Sequence, residues 1–141
     1  MEEMRLTLVI VAVEDLKRAV GFYRAAFGWT QTIDVAVYAE FALPGAVRLG
    51  LYTHAGFGRN TEQAPLTPAH GEITGTEICL FVDDLSAAMA RMEAAGARLL
   101  SPRALRDWGD EAAYFADLDG NVVVLARSHT QHAEHTPSSA P

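Results

Sequence analysis

The stretch TEICLFVDDLSAAMARMEAAGARLLSP, residues 76–102, sets the fold. Its first seven residues, mostly apolar from Ile78 on, read as a strand. The period then lengthens, so that Leu85, Ala88, Met89, Met92 and Ala95 share one face of a helix. Asp84 can cap the start of that helix, Gly96 supplies a left-handed stop, and RLLSP resumes as a short strand. Subtracting 69 lays this pattern over LVIVAVEDLKRAVGFYRAAFGW at 8–29: Ile78 returns to Val9, Leu80 to Val11, Asp84 to Asp15, Leu85 to Leu16 and Ala88 to Ala19. The glycine stops, Gly28 and Gly96, fall one residue out of step. An internal repeat of strand and helix that preserves both cap and stop indicates a duplicated module.

In the first copy, Leu16, Ala19, Val20, Tyr23 and Phe27 give the helix its apolar face, and the run at 6–13 reads as a central strand. VRLGLYTH at 47–54 and the closing YFADLDGNVVVLAR at 114–127 supply further strands, with DLDGN as a tight hairpin turn. The expected organisation is α+β: a βαβββ module over 1–55, a glycine- and proline-bearing linker loop over 56–75, and a second βαβββ module over 76–127. A disordered tail follows at 128–141, where His129, His132 and His135 could pick up metal adventitiously.

Composition narrows the function. A chain of 141 residues with a formal charge of −7 has no basic stripe for a nucleic-acid backbone. The apolar run at 6–13 is too short to cross a membrane, and one cysteine, Cys79, rules out an internal disulfide framework. A cytoplasmic protein with neither nucleic-acid nor membrane partners is expected.

In VEDLKRAVGFYRAAFGW, VDDLSAAMARMEAAGARLLSP and DWGDEAAYFADLDGN the chain resembles the vicinal oxygen chelate superfamily, which contains glyoxalase I, extradiol dioxygenases, fosfomycin-resistance proteins and bleomycin-binding proteins. The resemblance spans residues 6–127. It implies curled mixed sheets forming a trough, helices outside, a ligand in the trough and in many members a homodimer. Metal-using members place four ligands on trough-facing strands, and carried over here these positions are Leu8, Gly50, Glu77 and Val124. One oxygen donor among four cannot hold a divalent ion well, so no metal and no cofactor are expected.

With the repeat register fixed, strand alternation turns Leu8, Ile10, Arg48, Tyr52, Glu77, Cys79, Phe81, Val122 and Val124 inward. That surface suits an organic ligand. Trp108, beside Gly109 and among Asp107, Asp110 and Glu111, can stack on a planar compound while the acids attract a cation. Tyr38, Phe41, His54 and Tyr114 are further candidates for ligand binding. Glu77 stands amid apolar neighbours, either as a general base or as the ion-pair partner of Arg48.

Two functions of different class follow. One is a metal-independent protein that binds a planar or cationic small molecule, similar to the bleomycin-binding branch and its antibiotic resistance. The other is an isomerase, lyase or cyclase using Glu77 as base, or a non-standard metal site at His54 and His70.

Overall fold

The computed structural model describes residues 1–128. The expected tail, with His129, His132 and His135, lies outside the described residues. The chain divides after Thr67 into two compact units.

The first unit carries β1 (Leu8–Val13), α1 (Leu16–Phe27), β2 (Thr30–Val35), β3 (Tyr38–Ala42), β4 (Arg48–Thr53) and α2 (His54–Thr61). Its sheet runs β1-β4-β3-β2, with β1 parallel to β4 and the other pairs antiparallel. The second carries β5 (Glu77–Phe81), α3 (Leu85–Ala95), β6 (Arg98–Leu105), β7 (Asp110–Ala116) and β8 (Val122–Ser128), in the order β5-β8-β7-β6. The two orders are the same, as duplication requires. Both modules are thus βαβββ, the first extended by a helix. No helix is long and apolar enough to cross a membrane among the described residues.

The repeated caps work as the sequence implies. The carboxylate of Asp15 accepts from Arg18 N at 3.1 Å, and that of Asp84 accepts from Ala87 N at 3.0 Å. Gly28 and Gly96 close their helices in the left-handed region. Each helix covers one sheet face. Val11, Val13, Ala39, Phe41, Leu49 and Leu51 are buried in the first unit; Ala113, Phe115, Val123 and Leu125 are buried in the second.

Three sequence expectations change. The buried residues of α1 are Ala19, Phe22, Tyr23 and Ala26, a face rotated away from Val20 and Phe27. Phe22 and Tyr23 meet edge to face at 5.0 Å, a preferred aromatic geometry. Strand β1 is an edge rather than a central strand; its continuous apolar run reflects one buried face and one half-buried face.

The segment expected as loop over 56–75 opens with α2. Thr53 caps it, its hydroxyl accepting from Gly56 N at 3.1 Å. Gly56 and Gly58 weaken the helical signal but serve packing: a Cβ at 56 would stand 2.7 Å from Tyr52 Cδ1, and one at 58 would stand 3.1 Å from the Gln63 carbonyl oxygen.

Candidate functional site

The face of the first sheet turned away from α1 carries the polar chemistry. Register places Leu8 opposite Arg48, Ile10 opposite Gly50 and Ala12 opposite Tyr52. On the other side of β4, Tyr38 pairs with Tyr52 and Glu40 with Gly50. Sequence reasoning missed Glu40. Only 4 % exposed, it accepts from the Tyr38 hydroxyl at 2.5 Å and from Arg48 Nη1 at 2.9 Å. Burial, then the bond to Glu40, raises the Tyr38 phenol above its ordinary pKa, so Tyr38 stays a donor. Arg48 therefore has a carboxylate partner within its own sheet, Glu40.

Tyr38 and Tyr52 meet with ring centroids 4.5 Å apart, and Asn60 donates to the Tyr52 hydroxyl at 3.3 Å. Phe41, one residue on from Glu40, points the opposite way and is fully buried near Tyr23. His54 heads α2, its Nδ1 3.3 Å from Thr67 Oγ1, and lines an open cleft of about 430 Å³ with Glu62, Gln63 and Pro65.

In the second unit, Glu77, Cys79 and Phe81 pair with Val122, Val124 and Ala126 in that order, on the face away from α3. Glu77 is exposed on edge strand β5, and Phe81 is 43 % exposed. Nothing in its own sheet gives Glu77 the dry surroundings that the general-base reading assumed. Val122, Val124, Ala112 and Ala126 form a buried apolar cluster, covered in part by Leu100 and Tyr114. Burial first, then the charge of Glu77, raises the Tyr114 phenol, while Arg106 pulls it down.

Trp108 and Tyr114 line one open cleft of about 430 Å³, together with Arg106, which sequence reasoning also missed. The Arg106 guanidinium lies 5.0 Å from the Tyr114 ring centroid, a cation–π distance. Glu111 stands between Arg103 at 3.2 Å and Arg127 at 3.8 Å, and Asp110 is only 3 % exposed. Of the three acids expected around Trp108, only Asp107 remains at the cleft surface.

The four positions implied for a metal do not fit one. Leu8 and Val124 are hydrocarbon. Gly50 has no donor, and Tyr38 closes over it: a Cβ there would overlap the Tyr38 hydroxyl and stand 2.8 Å from Tyr38 Cε1. No group of three or more His, Cys, Asp or Glu converges as a metal site among the described residues, and neither His54 nor His70 belongs to one.

The DLDGN turn is structural. Asp117 Oδ1 accepts from the backbone N–H of Asp119 and of Asn121, both at 2.9 Å, and Gly120 takes a φ of 84°. Thr74 anchors the preceding segment to it, donating from Oγ1 to Asn121 Oδ1 at 2.8 Å.

The sequence profile of the Glyoxalase/Bleomycin resistance protein/Dioxygenase superfamily matches residues 5–125. Among solved structures, the fold is shared with a glyoxalase-related enzyme from Fulvimarina pelagi, at TM-score 0.80 and 19 % identity over 95 % of this chain and 96 % of that one. A glyoxalase/bleomycin resistance protein/dioxygenase from Nocardioides matches at 0.75 and 21 %, over 96 % and 91 %. A family enzyme from Burkholderia phytofirmans PsJN matches at 0.75 and 19 %, over 88 % and 98 %. At these identities the likeness concerns the fold. No curated protein matches the chain at a significant level.

Proposed function

We propose that this chain, which belongs to the Glyoxalase/Bleomycin resistance protein/Dioxygenase superfamily, is a metal-independent protein that binds a planar organic compound on the open faces of its sheets. The observation that carries the reading is the closure of Gly50 by Tyr38. A residue position that a metal ligand would need is filled by an aromatic ring, and its repeat counterpart region around Val124 is buried hydrocarbon. Trp108 and Tyr114 supply the aromatic surface for stacking. The cationic ligand raised by the sequence loses its support, because Glu111 is committed to two arginines and Asp110 is buried.

The same reading puts the protein in the cytoplasm as a homodimer. Its lone cysteine suits a reducing compartment, and exposed Ile33, Val35, Phe81 and Leu105 offer apolar surface to a second copy. Exposed Glu77 gives the enzyme reading no comparable support.

The test is metal content by mass spectrometry on the untagged chain and on a chain ended after Arg127, which removes His129, His132 and His135. The proposal expects substoichiometric metal in both and no rise in melting temperature on adding zinc, nickel or manganese. Stoichiometric metal in the shorter chain would overturn it.

A further inference from the structure

Arg106 is the cation of this cleft, and no carboxylate answers its charge among the described residues. Its Nη2 donates to Ser101 Oγ at 3.2 Å, to the Pro102 carbonyl at 2.7 Å and to the Ala112 carbonyl at 2.9 Å, so the guanidinium is fixed in place by neutral acceptors. Its Nε–H is buried and has no hydrogen-bond partner. An enclosed donor without a partner is costly, and Nη1, which makes no hydrogen bond among the described residues and is not enclosed, is the nitrogen left to meet an arriving acceptor. Beside it, in the same cleft, stand the rings of Trp108 and Tyr114.

We infer that the cleft of the second module takes a planar aromatic anion, a carboxylate or its sulfonate analogue, with the ring against Trp108 and the anionic group on Arg106. The inference rests on the proposal that the protein binds a planar compound and adds the sign of the ligand's charge. Three features argue for this sign. The guanidinium is pre-organised by three bonds, so little entropy is lost when an anion binds. With Nη2 held by three protein acceptors and Nε enclosed, Nη1 points the remaining charge at an anionic oxygen, to which it can donate a charge-assisted bond. Of the acids that would favour a cation, Glu111 and Asp110 are elsewhere engaged, leaving exposed Asp107 in the cleft and the charge of Glu77 felt at Tyr114.

Isothermal titration of the full chain with 2-naphthoate, 2-naphthylmethanol and 2-naphthylmethylammonium tests this without any variant. These probes share one ring system and differ in charge. Naphthoate is expected to bind about tenfold or more tighter than the alcohol, the scale of a hydrogen bond to a charged group, and the ammonium weakest. Arg106→Gln should erase that preference, whereas Trp108→Leu should weaken all three probes. Equal binding of anion and cation, still sensitive to Trp108→Leu, would overturn the charge assignment and leave the planar-ligand reading standing. Absence of binding by every probe, or binding indifferent to Trp108→Leu, would overturn both. Because Arg106 also braces the β6–β7 hairpin, the wild-type ranking of the probes decides the matter if the glutamine variant fails to fold.

Discussion

The ring of Tyr38 lies over Gly50, leaving no room for a side chain at the position opposite Glu40. Both tyrosine and glycine follow from one requirement. The phenol must reach the buried carboxylate two residues along its own strand, and only a bare backbone on β4 lets the ring pass. The pair leaves position 50 without any side chain.

Gly50→Ala is expected to destabilise the fold by about 1–3 kcal/mol, the range for overpacking, because Tyr38 and Ile10 Cγ1 at 2.9 Å must both yield. Gly21→Ala is its control. Gly21 lies inside α1 with nothing within 4 Å of an added Cβ, and alanine there should stabilise by about 0.5–1 kcal/mol. Urea unfolding of the two variants gives the comparison; equal shifts would mean that the ring does not enforce glycine at 50.

The Arg48–Glu40 pair is lopsided, the arginine side chain 43 % exposed and the carboxylate 5 %. Removing the arginine strands a buried charge, so Arg48→Met should cost about 2 kcal/mol, less than for a fully buried pair because Arg48 is partly solvated. Adding Glu40→Gln to that variant should restore part of the loss. A double variant no more stable than Arg48→Met would show that the carboxylate is well served without its cation.

Alkaline pH should weaken the fold through Tyr38. Its phenol ionises at higher pH when folded than when unfolded, from burial first and the Glu40 bond second, so the folded state holds the proton more tightly. The stability this provides is complete below the unfolded tyrosine value of about 10 and is lost as pH rises beyond it. Tyr114 and Cys79 are shifted in the same direction. Urea midpoints from about pH 8 to about pH 11 should therefore fall, and fall less steeply in Tyr38→Phe. A variant slope as steep as that of the parent would remove Tyr38 as the source.

Cys79 is exposed yet should alkylate slowly. Burial of its sulfur, then the charges of Glu77 and Asp110, raises the thiol's pKa and keeps the reactive thiolate scarce near neutrality. Iodoacetamide should react with it more slowly than with glutathione at pH 7.5 or thereabouts, and Glu77→Gln should speed the reaction. A rate matching glutathione would contradict the electrostatic account.

Much of the fold was legible because the signals repeat. Asp15 and Asp84, Gly28 and Gly96, and the 69-residue offset that carries Ile10 to Cys79 fixed both helices and the register of β1 and β5. The inner residues of β3 were not legible. A register irregularity between Gln31 and Ile33 breaks the two-residue alternation, so parity cannot be carried into β3, and the reading took Phe41 while passing over Glu40. Helix α2 was hidden by glycines that serve close packing. Arg106 was hidden because its partners are carbonyls and a ring brought close by a hairpin, which no spacing rule marks.

In each sheet the first strand pairs only with the last: Leu8 waits for Arg48, and Glu77 for Val122. Such pairings are slow to form, since a long stretch of chain must close before they hold. A polypeptide emerging from the ribosome would keep β1 without a strand partner until β4 had been synthesised, and β5 until β8. The one element next to nascent β1 that could form before any sheet exists is α1, which caps itself through Asp15.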